Sequence, residues 1–158
     1  MALVSQEPQR QIKSQKGRAA KVRLAGLEDT SAVTQLLSEN AREDERPKTP
    51  EEVEACIESG GALLFESSST LLCALLWRET SDGWTLEQPT VSEPYRKQEL
   101  DRWVLTKVEA LAIQRNIPLL RMKLGDESLL PYYERMGYRL EGDDLLLSKR
   151  VGGTWQYK

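Results

Sequence analysis

Val91-Ser92-Glu93-Pro94-Tyr95-Arg96-Lys97-Gln98-Glu99-Leu100-Asp101 closes a strand-like run and opens an amphipathic helix. A junction of this kind points the free N–H groups of a helix start, and the positive end of its dipole, at whatever lies in front of it. It therefore favours an anion such as a phosphate. Loops that hold phosphate in this way usually present bare glycine backbone, because side chains obstruct close approach. This one contains no glycine and carries Lys97, Glu99 and Asp101 instead.

Downstream of the junction, Leu100, Trp103, Val104, Val108 and Leu111 recur at helical spacing and predict one buried helix face. Asn116-Ile117-Pro118 ends that helix, and Leu119 to Lys123 reads as a strand. Leu129 to Met136 predicts a short helix that tolerates Pro131 in its first turn and stops at Gly137. Tyr138–Leu140 and Leu145–Arg150 then form a closing hairpin around Glu141-Gly142-Asp143-Asp144.

Upstream, a strand from Trp84 to about Val91 follows the turn Ser81-Asp82-Gly83. Before it, Ala62–Glu66 and Leu71–Trp77 are apolar runs separated by Ser67-Ser68-Ser69-Thr70, a hairpin pattern. Thr49-Pro50-Glu51-Glu52 is a capping box with proline at the first helical position, and the helix it starts should run to Ser59 and stop at Gly60-Gly61. Asp29 and Thr30 can cap an earlier helix bearing Ala32, Val33, Leu36 and Leu37, and Arg42 to Lys48 is a polar connection. A first short strand begins at Lys21 with Val22 and Leu24. The order β-α-α-β-β-β-α-β-α-β-β specifies an α/β (α+β) fold on one mixed sheet, with a single domain over residues 21–158.

Composition narrows the chemistry. Charged residues form 30% of the 158 and hydrophobic ones 39%, which suits a folded globular chain rather than a disordered one. The longest unbroken apolar run, Leu71 to Trp77, is too short to span a bilayer, and no hydrophobic segment follows Met1, so a cytoplasmic protein without a secretory signal is expected. Cys56 and Cys73 are expected as reduced thiols. Histidine is absent, which excludes His-ligated metal sites and Ser-His or Cys-His nucleophile pairs, and no metal is expected. Residues 1–21 hold five Lys/Arg against Glu7 alone, a net of +4 that leaves −7 for the remainder. Residues 1–20 read as a flexible basic tail on an acidic body, a solvated arm or a weak organelle-targeting segment; nucleic-acid binding is unlikely, since the acidic body would oppose it.

Two stretches carry a family resemblance. Pro131-Tyr132-Tyr133-Glu134-Arg135-Met136-Gly137-Tyr138 is similar to the helix-end pattern of the GNAT superfamily of N-acetyltransferases: an aromatic pair, three residues, glycine and an aromatic. Val91 to Asp101 keeps that family's register of valine, proline and then Tyr95-Arg96 leading into a helix. The resemblance covers about Lys21 to Arg150. It implies acetyl-CoA as co-substrate, with its pantetheine arm along the strand ending at Val91. The pyrophosphate would then meet Arg96, Lys97, Gln98, Glu99, Leu100, Asp101 and Arg102, and Asp126 would stand where relatives commonly have a cofactor-contacting asparagine. It also implies Tyr133 as the acid that protonates the departing thiolate; Glu87 on the preceding strand is a candidate base, or simply a solvated strand glutamate.

Two functions follow. One is transfer of an acetyl group from acetyl-CoA to an amine-bearing small molecule or protein. The other is an inactive GNAT-like module that binds a protein partner, because Glu99, Asp101 and Asp126 add negative charge where the family has glycine or asparagine. The acids Glu43, Asp44, Glu45, Glu51, Glu52 and Glu54 either favour a basic acceptor or mark a solvated helix face.

Overall fold

A computed structural model describes residues 20–152. The basic tail expected over residues 1–20 lies, Ala20 excepted, outside the described residues.

Continuous apolar runs in the two longest strands dictate the architecture, because a strand that is apolar at every position must be covered on both faces. β2 (Ala62–Ser67) and β3 (Thr70–Thr80) form the predicted hairpin, joined by Ser68 and Ser69 at φ 51° and 68°. Left-handed values at both central residues match the right-handed twist of a tight hairpin. Ala62, Leu64, Ala74 and Leu76 face one way, into a core completed by Val33, Leu36, Val53 and Ile57. The last four belong to α1 (Thr30–Glu39) and α2 (Pro50–Glu58). Leu63, Phe65, Cys73, Leu75 and Trp77 face the other way, against α3 (Leu100–Gln114), which inserts Leu100, Val104, Leu105, Val108, Leu111 and Ala112.

β1 (Ala20–Leu24) pairs antiparallel with β2; β4 (Gly83–Leu86) pairs antiparallel with β3 and parallel with β6 (Leu119–Lys123). β7 (Arg139–Leu140) and β8 (Leu146–Arg150) complete the order β1-β2-β3-β4-β6-β8-β7, with β5 (Thr90–Val91) beside β3. α4 (Leu130–Arg135) precedes β7 and has its proline in the first turn. Gly83 is required where β4 meets β6: a β-carbon there would run into the backbone oxygen of Leu119.

The capping box forms as predicted, with the Glu52 N–H donating to Thr49 Oγ1 at 3.2 Å and the Thr49 N–H to Glu52 Oε1 at 2.9 Å. Three expectations are corrected. Asp29 does not cap α1 with its side chain; that carboxylate takes both Arg23 nitrogens at 2.9 Å and the Gly26 N–H at 2.8 Å, a stronger charge-assisted set than a cap. Trp103 is not core but 55% exposed, touching Phe65 edge-on, while Leu105 takes the inward position. The strand from Trp84 to Val91 is broken in two. Four steps from Leu86 to Thr90 oppose three from Trp77 to Ala74, so one residue bulges out around Glu87–Pro89.

Candidate active site

The bulge builds the site. β4 and β6 stay paired as far as Leu86 and Met122; beyond that, β5 follows β3 while the chain after Lys123 turns away, with the Leu124 N–H donating to Leu145 O. The two strands splay and leave one edge of β5 without a strand partner. A cleft of about 800 Å³ occupies the gap, lined by Ala74, Leu76, Glu87–Val91, Leu124 and Gly125, with Tyr132 and Tyr133 from α4 and Arg96 and Asp101 from the junction. The Gln88 side-chain carbonyl spans it, accepting from the Gly125 N–H at 3.1 Å.

The junction takes a shape its sequence resists. Glu93–Gln98 winds as a 3₁₀ turn, then Glu99 adopts φ 56°, ψ 39°, the left-handed conformation glycine adopts freely. From there α3 begins. Arg96 does not point freely outward: it donates to Val91 O at 3.3 Å and to Asn40 Oδ1 at 2.8 Å, tying the junction to the end of α1. Arg102 pairs with Glu99 at 3.2 Å, and Leu100 is fully buried.

Of the residues singled out from the sequence, Glu87, Val91, Arg96, Asp101 and Tyr133 come together in the cleft. Lys97, Gln98, Glu99, Leu100, Arg102 and Asp126 are not in its lining. Asp126 caps the turn before α4, accepting from the Ser128 N–H at 3.0 Å, which holds its carboxyl below the usual range. Glu87 is engaged by Lys48 at 3.1 Å, an ion pair across the cleft wall.

Tyr133 is 2% exposed, packed edge-on between Tyr132 at 5.2 Å and Tyr138 at 6.1 Å. Burial first, then the charge of Asp101, pushes its hydroxyl far above the ordinary tyrosine value, so it stays protonated at neutral pH. Burial likewise raises the Asp101 carboxyl, against the stabilising pull of the Tyr132 hydroxyl and of the first α3 amides. Tyr132 is close enough to feel that charge, but its buried hydroxyl has no partner within hydrogen-bond geometry.

Sequence reasoning missed Tyr132, Gln88 and the basic residues of the α1–α2 connection. Arg42, Arg46 and Lys48 line the cleft, and Glu45 is the one acid of that connection that does. The acidic bias of residues 38–60 is therefore mostly a solvated face: Glu43, Asp44, Glu51 and Glu54 are exposed outside the lining.

No protein-family profile matches the chain, and no curated protein sequence matches it. Solved structures do. A GNAT-family acetyltransferase from Listeria monocytogenes superimposes at TM-score 0.72 with 23% identity, covering 86% of this chain and 97% of that one. The PaiA N-acetyltransferase of Thermoplasma acidophilum, solved with coenzyme A, reaches TM-score 0.71 at 14% identity over 84% and 99%. A putative acetyltransferase from Salmonella typhimurium, solved with acetyl-CoA, reaches 0.66 at 15% over 84% and 94%. This chain has the fold of the GNAT N-acetyltransferases.

Proposed function

We propose that the protein transfers an acyl group, acetyl in the simplest case, from an acyl-CoA thioester to a primary amine. The observation that carries this reading is the splay itself: an unpartnered edge of β5 opposite β6, with a protonated Tyr133 in the wall. The apolar side chains of Ala74, Leu76 and Leu124 suit the thioester arm of such a donor. The donor supplies an activated acyl carbon; the amine nitrogen bonds to it as the carbon–sulfur bond breaks. In this reading Tyr133 gives its proton to the leaving sulfur and is reprotonated from solvent, and water at the cleft mouth takes the proton lost by the amine. Glu87 serves this reading through its charge pair with Lys48 rather than as a free base.

A second reading, a GNAT-like module without catalysis that binds a protein partner, is favoured by one observation: the acidic Asp101 lines the cleft at the start of α3. Thermal denaturation with acetyl-CoA separates the two. Ligand at about a thousand times its Kd stabilises the native state by about 4 kcal/mol, a shift on the order of 10 °C for a chain of this size. An unshifted melting temperature refutes the enzyme reading.

A further inference from the structure

The charge of the cleft runs against that of the chain around it. Its lining holds five basic side chains, Arg42, Arg46, Lys48, Arg96 and Lys123, against Glu45, Glu87 and Asp101. Residues 22–158 as a whole carry −7. Such segregation is how a protein concentrates an anion at one place without becoming basic overall.

Pairing removes some of that charge but not all. Arg46 is taken by Glu52 and Lys48 by Glu87, both at 3.1 Å. Arg42 has only loose neighbours, Glu45 at 3.6 Å and Asp44 at 3.7 Å. Lys123 takes part in none of the ion pairs among the described residues. Arg42 and Lys123 also share one region of the mouth. The Arg42 guanidinium lies over Gly125, two residues after Lys123, so closely that a β-carbon there would come within 2.5 Å of Cζ. They belong to the α1–α2 connection and the end of β6, whereas the 3₁₀ turn before α3 contributes Arg96 and the first turn of α3 contributes Asp101.

We infer that the acceptor is a small primary amine that also carries an anionic group, a carboxylate or phosphate, held by Arg42 and Lys123. This rests on the acyl-transfer reading above. A diamine would meet Lys123, which has no ion-pair partner among the described residues, and Arg42, whose acidic neighbours stand 3.6 and 3.7 Å away; like-charge contact is an effective means of rejecting a partner.

The test measures thiol release from acetyl-CoA by the full chain with four acceptor sets: amino acids, aminoalkyl phosphates, uncharged amines of equal length, and diamines. The anionic sets should exceed the uncharged amines in kcat/KM by about tenfold or more, with diamines slowest, and the better anionic set identifies the group. Arg42→Ala and Lys123→Ala should each raise KM for the anionic acceptor about tenfold while leaving kcat and coenzyme A affinity unchanged. Arg42→Glu with Lys123→Glu should move the preference toward diamines. Transfer confined to uncharged or cationic amines overturns the inference and leaves acyl transfer standing. So does a loss of coenzyme A affinity matching the rise in KM, since the cations would then hold the donor. Absence of both coenzyme A binding and transfer removes the acyl-transfer reading and this inference with it.

Discussion

Asp101→Asn tests the least family-like feature of the site. The carboxylate lines the cleft at the start of α3, where a donor's diphosphate would approach the helix amides. At an effective dielectric near 20, two unit charges about 5 Å apart repel by roughly 3 kcal/mol, about a hundredfold in affinity. Arg96 and the open mouth screen part of this, so asparagine, which keeps the shape and removes the charge, should tighten coenzyme A by about tenfold at neutral pH. Titration calorimetry on both proteins reads it directly. The sign with pH is fixed by the raised carboxyl. As pH falls through that raised value the carboxylate is neutralised, so the advantage of asparagine should shrink toward nothing. Stability follows the same linkage. The favourable contribution of the neutral form is complete below the unfolded value of 3.8 and lost as pH rises through the folded one, so Asp101→Asn should also melt higher at neutral pH. Equal or weaker coenzyme A affinity for the variant at neutral pH would refute the reasoning, because the carboxylate would then not face the bound anion.

Tyr133→Phe removes the proposed proton donor without emptying the core; turnover should fall by about a hundredfold with coenzyme A affinity unchanged, and an unaltered rate in a steady-state assay discards the role. Glu99→Gly relieves a left-handed residue and should raise stability by about 1 kcal/mol in urea denaturation, whereas a loss would mean that its Arg102 pair matters more than backbone strain. Thr49→Ala deletes one half of the capping box and should cost about 1 kcal/mol by the same measurement. Asp29, held below the ordinary aspartate value by Arg23 first and also by the Gly26 N–H, stabilises the fold above pH 3.8 and loses that contribution as pH falls through its lower folded value; Asp29→Asn should flatten the acid limb of the melting curve there.

The sequence by itself determined the elements and their order. Thr49-Pro50-Glu51-Glu52 announces a helix start because its hydrogen bonds close within four residues, and Ala62–Glu66 with Leu71–Trp77 announces a hairpin because two apolar runs flank a short polar turn. The aromatic pair before Gly137 and the valine-to-Arg96 junction indicated the fold for the same reason: each is a local pattern. What only the tertiary structure decided are facts between distant segments. The bulge at Glu87–Pro89 depends on how many residues of β3 lie opposite, which no spacing within the strand reveals. Trp103 looked like core because helical periodicity marks a face, yet the width of that face is set by what covers it, and here the cover ends before Trp103. Arg42, in a connection that read only as polar, reaches Gly125 more than eighty residues away, and the Arg96 guanidinium donates to Asn40, fifty-six residues earlier. Charge sign along the chain averages over residues that fold onto opposite surfaces. A basic cleft in an acidic protein therefore exists only in three dimensions.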